Sequence, residues 1–277
     1  QATGDAIPAA GEGEALLLEL QPFGEAEAAA AVTQLLPRTD PFLAAEVQRH
    51  AGGNPLYIEE LCHALAHEQG DGILPRRLGE AQPGSAWLSA LVESRVARLP
   101  ATEAMLLRVA AVIGNVIPSW LLQRISRCPA DDPAVLALAE QDFVFPHARP
   151  GQLRFKHGIT RDVVYEAIGL HERQALHRRI AAELRAQGAA GGQQAAHELL
   201  AYHDGAAGDW AGAADHAEAA GDQALAASAL DRAKKQYRAA LAALEHLPGA
   251  ETQQLRWIAI AQRFGMACVF DASRADL

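Results

Sequence analysis

The chain has 277 residues, 50% of them hydrophobic and only 5% aromatic, with a formal net charge of -10. That length and apolar content suffice to bury more than one core, and alanine-rich, aromatic-poor composition favours closely packed helices, so a mostly α protein of two or three domains is expected. The acidity is N-terminal: residues 1–85 hold 4 Arg and Lys against 13 Asp and Glu, whereas residues 86–168 hold 9 against 8 and residues 169–277 hold 11 against 13. No segment carries the basic excess of a strong nucleic-acid surface. Cys62, Cys128 and Cys268 lie far apart and form no Cys-x-x-Cys pair, which suits buried reduced thiols in a cytoplasmic protein. No apolar run of about 18 residues offers a membrane span, and with no initiator Met the chain is expected to be part of something longer.

In chain order, residues 1–14 are Gly, Ala and acidic, as in a loop or disordered segment. Leu16 to Leu20 suit a buried strand that Pro22 ends. Gly24 then opens a helix with Glu25 and Glu27 in its first turn and Val32, Leu35 and Leu36 inward. A helix through Phe42, Leu43 and Val47 follows Asp40-Pro41. Gly52 or Gly53 closes it, Asn54 caps the next helix, and Pro55 takes the first helical position. Tyr57, Ile58, Leu61, Cys62 and Leu65 share one side of that helix, with Glu59 and Glu60 read as partners of its positive end. The glycine joint beside helix N-terminal amides suits either a phosphate or adenine contact and a swinging motion, or a tight helix-to-helix turn and nothing more.

Residues 70–85 read as a linker. From Trp87 the helical spacing returns through Leu88, Leu91, Val92, Val96 and Leu99 until Pro100, and Leu106 to Ile113 make a second helix apolar nearly all round. Further helices hold Trp120 to Ile125 and open at Val135. Asp142 to Pro146 and Gln152 to Lys156 flank Pro150-Gly151 as a hairpin, so residues 86–168 describe a winged helix. Beyond Gly169 the chain reads as helix. The arginines and histidines of His171 to Ala181 are expected on a solvated face, Gly188 to Gly192 as a hinge-like loop, and residues 169–277 as tetratricopeptide-like repeats built on small residues and single aromatics such as Trp210 and Tyr237.

Several phrases resemble the signal-transduction ATPases with numerous domains found in bacterial LuxR-type regulators and in adenylate or guanylate cyclases. Gly52-Gly53-Asn54-Pro55-Leu56-Tyr57-Ile58-Glu59-Glu60-Leu61 is similar to that family's lid signature, and the similarity continues through Arg95-Val96-Ala97-Arg98-Leu99, Ala110-Ala111-Val112-Ile113-Gly114, Phe155-Lys156-His157 and the helix from His171. The resemblance implies that residues 15–69 close an ATPase core and form its helical lid. It also implies that Gly53, Asn54 and Pro55 lie near a bound nucleotide and that His157 contacts a phosphate of ADP. The acidic residue that follows this histidine in the family is absent here, where Gly158 stands. A strand-end or helix-capping role for His157 remains the alternative.

The chain has three lysines, Lys156, Lys234 and Lys235, none after a glycine, so it contains no Gly-x-x-x-x-Gly-Lys phosphate loop. No apolar run ends in a magnesium-holding Asp pair. ATP or ADP with Mg2+ is therefore expected only in the parent protein, with no nucleotide bound by this chain alone. The expected partners are an upstream nucleotide-binding core and a protein on the repeats, with neither membrane nor nucleic acid. The output would be a cyclase or a transcriptional module. Two other readings stay open: a helical-repeat interaction scaffold without nucleotide response, and a winged-helix regulator that reads DNA.

Overall fold

The structure, a computed structural model, describes residues 21–36, 41–67, 85–129, 132–191 and 197–269. It is mostly helical and falls into two compact units, one within residues 1–95 and the other within residues 96–277. The strand expected at Leu16 to Leu20 and the linker expected over residues 70–85 lie outside the described residues, except Ser85, which starts a helix.

The first unit is built on α1 (Glu25–Leu35), α2 (Pro41–Ala51) and α3 (Pro55–His67), with α4 (Ser85–Ala97) contributing Leu91 to the same core. Glu27 ties down the start of α1: the Gly24 backbone N–H donates to its carboxylate at 2.9 Å. Ala28 and Val32 of α1 meet Val47 and Ala51 of α2 and Ile58, Leu61, Cys62 and Ala64 of α3. Leu35, expected inside, is exposed, whereas Leu36 packs against the core that holds Val32.

The structure also corrects the reading of Glu59 and Glu60 as dipole partners of α3. Neither lies in its first turn. Glu60 is fully buried, and both its oxygens accept from Nη1 of Arg95 on α4 at 2.7 Å. Glu59 lies 3.6 Å from His63, one turn on.

The second unit begins with α5 (Ala101–Ile113), β1 (Val116–Pro118), α6 (Ser119–Ser126), α7 (Pro133–Glu140), β2 (Val144–Pro146), β3 (Gln152–Phe155) and α8 (Gly158–Glu166). The hairpin β2–β3 forms as its flanking residues dictate, pairing Val144 with Phe155 and Pro146 with Leu153. β1 escapes the sequence reading because three residues are too few to show alternation. It pairs antiparallel with β3, Ile117 opposite Leu153, to give a sheet of order β1-β3-β2. Leu106, Leu107, Ala110, Ala111 and Val112 make α5 the central rod, and β1, α6, α7, α8 and the next helix pack around it.

That next helix, α9 (Leu170–Gly191), continues through residues 188–191 of the loop expected from Gly188 to Gly192, and Gly192 lies outside the described residues. Ala189 and Ala190 are strong helix formers, which offsets the flanking glycines. It is followed by α10 (His197–Ala207), α11 (Trp210–Ala226), α12 (Leu230–Glu245) and α13 (Glu251–Val269). Each packs chiefly against its neighbours in sequence. Ala213, Ala214, Ala217 and Ala224 let α11 approach α12 closely, and Tyr237 fills the gap. A Cβ on Gly221 would lie 2.6 Å from the Tyr237 ring, so only glycine fits there. The Tyr237 hydroxyl donates to Asp222 at 2.8 Å, and the Arg263 Nη1 from α13 meets the same carboxylate at 2.6 Å. Arg256 adds Asp215 and Glu218, both at 2.7 Å, so one acidic edge of α11 clamps α13. Among the described residues no helix is long and apolar enough to cross a membrane.

Candidate functional site

The joint between α2 and α3 sets three residues that the sequence singled out side by side. Gly52 and Gly53 both adopt left-handed backbone, with φ of 58° and 76°. Asn54 caps α3: its Oδ1 accepts from the Leu56 N–H and its carbonyl from the Ile58 N–H, both at 3.0 Å. Pro55 follows as the first helical residue and is exposed. Pro55 has no N–H to offer and the Leu56 N–H is taken, so the start of α3 has less anion-binding capacity than a bare helix end.

Gly53 is held in place by the chain ahead of α1. The Phe23 N–H donates to the Gly53 carbonyl at 2.8 Å, and a Cβ on Gly53 would stand 2.5 Å from the Phe23 carbonyl oxygen. Position and backbone both require glycine. Gly53→Ala is expected to lower the stability of this unit by about 1–3 kcal/mol, read as a lower urea midpoint. Gly52→Ala has the same kind of backbone but open space around it, and should lose about 1 kcal/mol.

His157 lies in the second unit. It takes the N-cap position of α8 with extended backbone, and its carbonyl accepts from the Thr160 N–H at 3.2 Å, while its side chain makes no cap bond. Lys156 beside it reaches Asp142 at 3.0 Å. Gly53, Asn54 and Pro55 thus share one joint, and His157 marks a strand-to-helix corner of the other unit.

A polar cluster that the sequence reading missed joins α8, α9 and α10. His177 of α9, expected on a solvated face, is fully buried, and so is His203 of α10. Their Nδ1 atoms face each other at 2.8 Å, and the His177 Nε2 lies 3.0 Å from the Tyr165 hydroxyl. Arg161 donates to the Ala111 carbonyl at 2.9 Å and to the Tyr202 hydroxyl at 3.3 Å, and its guanidinium and that of Arg173 both cover the Tyr165 ring.

Two Nδ1 atoms this close share one proton between them, with the donor set by the tautomers of the two rings. Burial pushes the His177 imidazole down to about 4, helped by Arg161 and Arg173. Burial also pushes His203 down to about 3, with His177 and Arg161 adding to it. Sealed from solvent, the pair joins helices and cannot meet a substrate as a general base must. The signal was present in the sequence: His177 stands three and four residues before Ile180 and Ala181, inside the buried stripe of α9.

Burial, with Glu59 adding, pushes Cys62 up to about 12, so it is no nucleophile. Cys268 is buried, and Cys128 is half-buried rather than fully so.

No protein-family model matches the chain. The chain is similar to an uncharacterized protein of Rhizobium meliloti (strain 1021), at 30% identity over 149 residues. The matched stretch is 50% of this chain and spans only 14% of that relative's length.

Proposed function

We propose that this chain is the lid, winged-helix and first-repeat portion of a cytoplasmic signal-transduction ATPase that switches between ADP and ATP and controls a cyclase or transcriptional output. The observation that supports this reading is the order α5-β1-α6-α7-β2-β3 with a β1-β3-β2 sheet, as a winged helix would have, followed after α8 by helices that each pack on their neighbours in sequence, as tetratricopeptide-like repeats would. The lid-like phrase through Gly53, Asn54 and Pro55 precedes it in the order the family uses. Nucleotide phosphates and Mg2+ would be held by a core upstream, since this chain has no phosphate loop. Its own residues would supply unequal contacts in the two states, Pro55 at the lid and His157 at the corner before α8. The third helix, α7, carries no cation, which supports an output through protein contacts rather than a DNA groove.

One observation favours a second reading, a helical-repeat scaffold without nucleotide response: the close approach of Phe23 to Gly53 explains the joint by packing alone. The two readings separate in the parent protein purified with bound nucleotide. Pro55→Ala and His157→Ala should each speed ADP release about tenfold or more, the size of a lost charge-assisted or closely packed contact. Release at the wild-type rate in both variants, with unchanged melting, would leave the scaffold.

A further inference from the structure

A groove of about 580 Å³ opens between α5, α6 and α9 in the second unit. Met105, Val109 and Leu176 form its apolar floor, and Arg108, Arg127 and Arg179 stand around it against one carboxylate among the described residues, that of Glu172. The guanidinium groups of Arg108 and Arg127 make no hydrogen bond or ion pair with any described residue. Arg179 is anchored by one donor, its Nη2 giving to the Ile125 carbonyl at 2.7 Å, and its other donors remain uncommitted among the described residues. Three cations gathered on an apolar floor stand out in a chain of net charge -10.

Arg127 adds an independent oddity. It closes α6 in the left-handed conformation, φ 63° and ψ 17°, a place where glycine is the ordinary choice. An arginine there sacrifices local backbone energy and gains nothing from any described neighbour.

We propose that this groove docks an acidic peptide segment of a partner protein, its carboxylates on Arg108, Arg127 and Arg179 and an apolar side chain on the Met105–Leu176 floor. Guanidinium groups suit carboxylates in paired, in-plane contacts, and the methionine adapts to the shape of an apolar anchor. The open rim, with Glu172, Ala175 and Arg179 exposed, favours a peptide laid across it over a small molecule that must be enclosed. Glu172 and the lack of an aromatic stacking surface in the groove disfavour a nucleic-acid strand. The proposal stands independently of the nucleotide-switch reading.

The test uses the 277-residue chain and a short fluorescein-labelled peptide of Glu, Asp and Leu, followed by anisotropy. Saturable, salt-sensitive binding is expected, absent for the same peptide with Gln and Asn in place of the acids. Arg127→Gly is the decisive variant, because it relieves the backbone while removing the cation: it should melt at or above the wild-type temperature yet bind about tenfold more weakly. Arg108→Glu should weaken binding at least as much, whereas Arg149→Glu, at the turn between β2 and β3, should not. No saturable binding by the wild type would overturn the proposal, as would equal weakening by Arg149→Glu or displacement of the peptide by equimolar inorganic phosphate.

Discussion

Replacing Arg95 by alanine is expected to destabilise the first unit by about 3–5 kcal/mol, the scale of a buried ion pair that loses one member. Glu60 is 0% and Arg95 5% exposed, and the two contacts of 2.7 Å leave no room for water between them. Without Arg95 the carboxylate must stay charged in an apolar setting or take up a proton, and both lose the energy of the pair. The pair itself is a weaker asset than its rupture suggests, because desolvating two ions consumes most of their attraction. Glu60→Leu combined with Arg95→Met should therefore recover most of the stability lost by either single change. Urea unfolding, with hydrogen exchange on α3 and α4, reads both outcomes. A loss below about 1 kcal/mol for Arg95→Ala, or a double variant no better than the singles, would show that the pair is not the lock it resembles.

The same pair shows what the sequence withheld. Helix positions were legible wherever apolar residues recur at three and four, as along Ile58, Leu61 and Leu65 or Leu88, Leu91 and Val92. The joint was legible too, because Gly52, Gly53, Asn54 and Pro55 each have a narrow backbone preference and all four took the expected role. What periodicity conceals is a polar residue inside an apolar stripe. Glu60 stands three residues after Tyr57 and four before Ala64, and Arg95 stands four after Leu91. Read as charges they look solvated; read by phase they face the core. His177 repeats the lesson on α9. β1 was hidden for another reason, since its partner β3 lies more than thirty residues away and a three-residue strand forms only when that partner arrives.

The buried imidazoles make the second unit acid-labile in a window set by the unfolded chain. His177 and His203 are neutral when folded and titrate near their ordinary value of 6.5 when unfolded, so below that value the unfolded state binds more protons. Their contribution to stability is complete above about pH 6.5. It falls as pH drops towards the depressed folded values, by up to about 1.4 kcal/mol per pH unit for each ring. Between pH 6.5 and pH 5, above the range where exposed carboxylates titrate, the expected loss is about 2–4 kcal/mol.

Among the described residues, the charged groups that act on the pair are Arg161 and Arg173, and both disfavour an imidazolium. Tyr165 and Arg161 come from α8, Arg173 from α9 and Tyr202 from α10, and the two guanidiniums repel an imidazolium. The facing Nδ1 atoms, 2.8 Å apart, would clash if each carried a hydrogen. The α9–α10 seam should therefore open first, with faster hydrogen exchange in α10 preceding loss of the sheet. His177→Gln with His203→Gln keeps hydrogen-bonding groups and removes both titrations, so its stability should be nearly flat from pH 6.5 to 5 even if lower throughout. A wild-type protein equally stable at the two pH values, or a double variant with an unchanged slope, would mean the rings are hydrated and protonated where the structure has them sealed.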